Sequence, residues 1–290
     1  MTPQSRASTS KSAPSRAPQS AAITSRENHW LKLFRAVLHS SRPEDERIGL
    51  EGVRLVSDAV RSELELEAIL ASASAEKTLT ALLAELDRPT LVLRTTDKLF
   101  ASVAATETPQ GIAALLRAPQ FAFDDLLRGL DPLIVVLVGV QDPGNVGTIL
   151  RSAEALGATG VIATKGAAHP YSPKSLRASA GSALRLPTLF ELAAPVALAQ
   201  LRVSGLQIVA ASSPKNPAAR DPHELNFRQP VALLIGNEGA GLPPEIERSA
   251  DALIRIQLAE PVDSLNAAVA ASLILYEAAR QRRLSNGAGQ

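Results

Sequence analysis

Six aliphatic residues in succession, Leu133-Ile134-Val135-Val136-Leu137-Val138, stand between Pro132 and Gly139. A strand with one wet face alternates apolar and polar residues; an unbroken apolar run bounded by turn residues is what a strand covered on both faces looks like. The same pattern returns at 160–163, 206–211, 231–235 and 252–258. Between them the spacing predicts helices over 146–156, 175–183, 194–203, 243–249 and 264–283. Regular alternation of buried strand and helix implies a parallel sheet with helices on both faces, an α/β domain over 133–286.

The upstream segment, 23–117, reads as a smaller α/β layer domain. Leu31, Phe34, Val37 and Leu38 recur at helical spacing after Asn28, a plausible cap. A short apolar strand follows at Ile69-Leu70-Ala71, then a helix over 79–86, a strand over 90–94 and a short helix over 98–104. Residues 118–132, with Phe121-Ala122-Phe123-Asp124-Asp125, read as a linker. Residues 1–22 are rich in Ser, Ala and Pro, carry Arg6, Lys11 and Arg16 without an acid, and are expected to be a disordered tail. An organelle leader is the alternative, which Pro14 and Pro18 disfavour because they interrupt any amphipathic helix.

Composition closes several classes of chemistry. With no cysteine there is no disulfide, thiolate zinc site or cysteine nucleophile, and nothing is lost in a reducing cytoplasm. His29, His39, His169 and His223 lack metal-ligand spacing, so no metal is expected. No apolar run approaches the length that spans a bilayer, so no membrane partner is expected either. The net charge of +1 does not announce nucleic acid. Its distribution is more informative: no acid lies between Glu154 and Glu191, whereas Lys165, Lys174, Arg177 and Arg185 do. A solvated basic face is the blander reading of that stretch.

Ligands of parallel α/β domains bind beyond the carboxyl ends of the strands, and three loops there are chemically loaded. Gln141-Asp142-Pro143-Gly144-Asn145-Val146-Gly147 places Asn145 at a helix start, where it can cap free amides, with Arg151 further along the same helix. Gly236-Asn237-Glu238-Gly239-Ala240-Gly241 follows a buried strand; its glycines permit a ligand or another backbone to come close. The order is not that of a dinucleotide or triphosphate cradle. Glu238 reads either as an exposed turn residue or as an active-site carboxylate, and spacing leaves both open. The third loop ends in Ser264-Leu265-Asn266, where Ser264 or Asn266 caps an Ala-rich helix whose small residues permit a close neighbour.

In order and spacing these loops resemble the three motifs of the SpoU (TrmH) branch of the SPOUT RNA methyltransferases. Tyr171-Ser172-Pro173-Lys174 with Arg177-Ala178-Ser179 resembles a stretch between the first two motifs. Thr24-Ser25-Arg26-Glu27-Asn28, Glu51-Gly52-Val53-Arg54-Leu55-Val56 and Thr108-Pro109-Gln110-Gly111-Ile112-Ala113 resemble the family's N-terminal substrate-binding domain. The likeness spans roughly residues 23–285; Gln257 stands where proline is common.

The resemblance implies a trefoil-knotted catalytic domain, S-adenosylmethionine as methyl donor, a homodimer, and 2′-O-ribose methylation of RNA in the cytoplasm. Ribosomal RNA is the preferred target; transfer RNA, a non-catalytic assembly factor and a small-molecule enzyme are the alternatives. It also implies cofactor contacts at Gly236, Ile256 and Leu265, a reaction site of Asn145, Arg151, Glu238, Ser264 and Asn266, and RNA contacts at Lys174 and Arg177.

Overall fold

The structure is a computed structural model and describes residues 20–43, 46–62 and 64–287. Most of the expected tail, residues 1–19, therefore lies outside the described residues. Its last residues are a correction: Ser20–Ile23 form strand β1, paired in parallel with β4 (Leu91–Thr95) through Ser20↔Val92 to Ile23↔Thr95.

The N-terminal sheet also contains β2 (Arg47–Glu51), β3 (Leu66–Ser72) and β5 (Ile112–Arg117), in the order β1-β4-β3-β5-β2. Strand β5 runs antiparallel to both its neighbours, so the sheet is mixed. Helices α1 (His29–His39) and α4 (Asp97–Ala101) cover one face through Leu31, Phe34, Leu38 and Phe100. Helices α2 (Val53–Arg61) and α3 (Glu76–Ala84) cover the other through Leu55, Val56, Leu79 and Leu82. Asn28 caps α1, its side-chain oxygen accepting from Trp30 N at 2.9 Å.

The segment read as a linker is packed. It carries a short helix, α5 (Phe123–Leu126), whose Leu126 is fully buried. Leu126 fills the space beside Gly160, where an added Cβ would lie 2.5 Å from Leu126 Cγ. The Thr159 hydroxyl donates to Leu126 O at 2.7 Å.

Beyond it, β6 (Leu133–Leu137), β7 (Gly160–Thr164), β8 (Thr188–Leu192), β9 (Gln207–Ala211), β10 (Val231–Ile235) and β11 (Ala252–Ile254) build an all-parallel sheet ordered β11-β9-β10-β6-β7-β8. The apolar run at 133–138 divides by the period of two. Leu133, Val135 and Leu137 enter a core under α6 (Pro143–Ala155) and α11 (Ala267–Gly287). Ile134, Val136 and Val138 enter a second core under α9 (Ala194–Val203) and α10 (Pro244–Arg248). The first core is continuous with the α2–α3 face of the N-terminal sheet, so both domains share apolar packing.

Several expected boundaries move. The helix expected over 175–183 is two, α7 (Pro173–Ser179) and α8 (Ser182–Arg185), because Ala180 and Gly181 both take left-handed backbone, φ 48° and 84°. The strand expected over 252–258 stops at Ile254, and the chain beyond it lines a cavity. The helix expected from 264 starts at Ala267, capped by Asn266, not Ser264: the Asn266 side-chain oxygen accepts from Ala268 N at 2.9 Å. Asn145 is no cap. Asp142 holds that position, accepting from Gly144 N at 2.6 Å, and Pro143 pre-sets the first turn.

Candidate active site

The three loaded loops meet at the carboxyl edge of the parallel sheet. Asn237 fixes the loop after β10: its side-chain oxygen accepts from Gly239 N and Ala240 N at 2.9 and 3.0 Å, and its amide donates to Gly139 O at 2.9 Å. Backbone bonds between Asn237 and Gly241, each 3.0 Å, close the turn. Gly236 answers the question its sequence left open. A Cβ there would lie 2.5 Å from Gly241 C and 2.6 Å from Leu242 N, so the close neighbour is the loop's own backbone.

This rigid turn aims Glu238 at the start of α6. Its carboxylate accepts from Gln141 N and Asp142 N, both at 3.2 Å, and from the Asn145 amide at 2.8 Å. Asn145 in turn accepts, through its side-chain oxygen, from the Asn266 amide at 2.9 Å. Glu238, Asn145 and Asn266, one from each loop, thus form a single hydrogen-bonded chain ending on the amides of α11. Partial burial pushes the Glu238 carboxyl up, but the bonds from Asn145 and the backbone amides outweigh it and hold the group below its ordinary value.

Beside this chain lies a cavity of about 370 Å³. Gly236, Ile256, Leu265, Glu238 and Ser264 all line it, together with Ile235, Ile254, Leu258 and Ile274. Its size and its walls of aliphatic side chains and polar groups together fit an organic cofactor. Backbone of the 236–242 loop supplies polar groups at one wall, and Ser212, Glu247 and Asp263 stand at others. No group of three or more His, Asp or Glu residues among those described could hold a metal ion.

Other expected residues stand apart from that chain. Arg151 lies six residues past Asn145 on α6, about 9 Å along the axis. It is exposed and has no hydrogen bond or ion pair among the described residues. Arg177 on α7 is likewise exposed and unpaired. Lys174 donates to the Asp142 carboxylate at 2.8 Å, and Arg185 grips Glu154 through two 2.7 Å bonds. The acid-free stretch is therefore not uniformly basic in space, because α6 brings carboxylates to it from outside. Asp142 and Asn237 were not singled out from the sequence. The only signal was a side-chain oxygen acceptor two residues before a glycine in each case.

Known proteins resemble this chain along most of its length. The SpoU rRNA Methylase family model matches residues 132–276, and an MRM3-like substrate binding domain matches residues 35–114. The chain belongs to the SpoU rRNA methylase family. A 23S rRNA (uridine(2479)-2′-O)-methyltransferase of Streptomyces viridochromogenes is 34% identical over 275 residues, 92% of this chain and 94% of that one. The solved structure of the SpoU methyltransferase AviRb from that organism, in complex with the cofactor AdoMet, superposes with a TM-score of 0.79 at 32% identity, covering 89% of this chain and 99% of AviRb. An uncharacterized tRNA/rRNA methyltransferase of Synechocystis is 38% identical over 188 residues, 64% of this chain and 66% of its own length, so this chain spans about two thirds of that relative. The SpoU match covers the parallel-sheet domain and the second match most of the mixed-sheet domain, the same division the sheets make.

Proposed function

We propose that this protein transfers a methyl group from S-adenosylmethionine to a ribose 2′-hydroxyl of 23S ribosomal RNA. The observation that carries the reading is the hydrogen-bonded chain Glu238–Asn145–Asn266 set against the cavity lined by Gly236, Ile256 and Leu265. Ribosomal RNA is favoured over transfer RNA because the Streptomyces relative matched over 92% of this chain is named for 23S rRNA. Ribosomal substrate would place the work in the cytoplasm. Among the described residues no helix is long and apolar enough to cross a membrane.

Bound S-adenosylmethionine supplies a methyl already activated on sulfonium, so the chain's own task is positioning and proton loss. Ile256, Leu258 and Leu265 take the apolar part of the cofactor, and the 236–242 backbone its polar edge. Asn145 and Asn266 orient the reacting ribose. Glu238 holds Asn145 in place: its carboxylate accepts from the Asn145 amide and from Gln141 N and Asp142 N. Arg151, unpaired among the described residues, grips the phosphate of the target nucleotide and steadies the developing alkoxide, while a phosphate oxygen or Glu238 receives the proton. Ser264 stands at the cavity wall for the cofactor or ribose. Lys174 and Arg177 hold the RNA backbone. The segment 255–266, which crosses from edge strand β11 back over the cavity to α11, is the stretch that would tie the trefoil knot.

The working unit is a homodimer through α11. The small residues expected to form its contact point inward instead: Ala268, Ala271 and Ala278 are buried against α6 and the sheet. The outward stripe is larger, with Val269, Leu273 and Tyr276 exposed by 47, 48 and 59%. An apolar stripe of that kind suits a second copy across a two-fold axis. A monomer by light scattering at micromolar concentration would sink this part.

The main test is a map of ribose methylation across cellular RNA with and without the protein. The expected result is one 23S site lost in its absence; an unchanged map overturns the reading. Calorimetry should show S-adenosylmethionine binding in the presence of a chelator.

A further inference from the structure

Arg54 in the first turn of α2 is exposed and, like Arg177, has no hydrogen bond or ion pair among the described residues. Packing brings their two helices together from different domains. Glu51, Leu55 and Ala105 share a small cleft with Pro173, Leu176 and Arg177. Further along, Asp58 Oδ2 lies 2.9 Å from where a Cβ on Gly181 would stand. Leu55 beside α7 and Asp58 beside Gly181 mean that α2 and the α7–α8 segment advance side by side in the same direction. Arg54, one turn before Asp58, is thereby set opposite Arg177, one turn before Gly181.

Two unpaired cations on neighbouring helices are costly unless something answers them, and Glu51 and Asp142 are engaged elsewhere. Glu51 is buried and accepts from Ala105 N at 2.6 Å, from Thr106 N at 3.3 Å and from the Thr106 hydroxyl. Asp58, one turn from Arg54, makes no side-chain hydrogen bond or ion pair among the described residues, so it leaves that guanidinium unanswered. Asp142 is bound to Lys174. Arg54 also sits in the first turn of a helix, where the macrodipole disfavours a cation.

We infer that Arg54 and Arg177 together grip one phosphate of the RNA backbone, a clamp that joins the substrate-binding domain to the catalytic domain. The inference rests on the RNA-directed function proposed above. Planar guanidinium forks suit a shared phosphate. Lys174, three residues before Arg177 on the same helix, continues the line from the clamp to Asp142 and the Asn145 chain. RNA held at Arg54 is thus led into the reaction site.

The test is the affinity of the full chain for protein-free 23S rRNA as a function of salt. Arg54→Ala, Arg177→Ala, the double variant and Arg88→Ala are compared; Arg88 is an exposed residue just before β4, beside the C-terminal end of α2 and away from α7. Each of the first two should weaken binding by roughly 3- to 10-fold and flatten the log–log salt slope by about one. The double variant should lose little more than either single one, because one phosphate is shared. S-adenosylmethionine affinity and thermal midpoint should match the wild type throughout. An Arg54→Ala chain with the affinity and slope of Arg88→Ala overturns the clamp, as do losses that multiply in the double variant. A wild-type chain that binds this RNA but transfers no methyl overturns the proposed function, and the clamp is then judged on binding alone.

Discussion

Two parts of the same surface are built on opposite plans. At the loop cluster, Glu238, Asn145 and Asn266 satisfy one another and end on helix amides, so their geometry exists before any ligand arrives. Along α6, α7 and α2, Arg151, Arg177 and Arg54 are exposed and bonded to nothing among the described residues. Preorganised dipoles need no rearrangement when charge develops, which is where a reaction site gains most. Unpaired guanidiniums keep their donors for an anionic substrate and bring it in by charge. Under the proposed function, the difference separates groups that would arrange the reaction from groups that would hold the RNA.

The largest expected effect breaks the second group at its reacting end. Arg151→Ala should lower single-turnover methylation at saturating RNA by on the order of 10²- to 10³-fold, with cofactor affinity within about twofold of wild type. A fully active variant would remove Arg151 from the mechanism.

A smaller effect is expected inside the tied cluster. Asn145→Ala cuts the chain in its middle but leaves Glu238 on two backbone amides and Asn266 on its helix. Turnover should fall by roughly 10- to 100-fold while RNA affinity and its salt slope stay unchanged. Loss of RNA binding in this variant would erase the distinction between the two groups.

The smallest effect concerns stability beneath both. His169 packs against Tyr171 and Phe190, and its Nδ1 accepts from Tyr171 N at 3.1 Å, which requires the neutral ring. Burial, then the charge of Arg42, lowers its pKa from 6.5 to about 4 against the opposing pull of Glu191. The unfolded chain takes up this proton near 6.5 and the folded one only near 4, so stability is lost as pH falls through that window. His169→Gln should shrink the drop in thermal midpoint between about pH 7 and pH 5 by about 2 °C. An unchanged drop would show that the ring is not the acid-sensitive group.

The two sheets were not equally legible. The all-parallel sheet announces itself because burial on both faces leaves continuous apolar runs, as at 133–138 and 231–235. Its edge strand β8, Thr-Leu-Phe-Glu-Leu, is half-buried and carries no such run, so the pattern passes over it. In the mixed sheet, β2 and β1 are short edge strands set by pairing partners far along the chain, which local periodicity does not encode.

By itself the sequence determined the α/β class, the alternating strands and helices of the catalytic domain, and the three motifs that carry the family likeness, because hydrophobic period and loop residue types are local properties. Tertiary structure alone decided which groups meet. Asn145, a plausible cap from its neighbours, yields that role to Asp142 and turns instead to Glu238 and Asn266, 93 and 121 residues away. Gly236 is required by the backbone of Gly241 and Leu242. The alanines of α11 face its own core rather than a partner. The acid-free stretch acquires its carboxylates from another helix, at Asp142 and Glu154. Hydrogen bonds and ion pairs depend on separations of a few ångströms that only packing fixes, so residue types can nominate a site while the fold assigns each residue its partner.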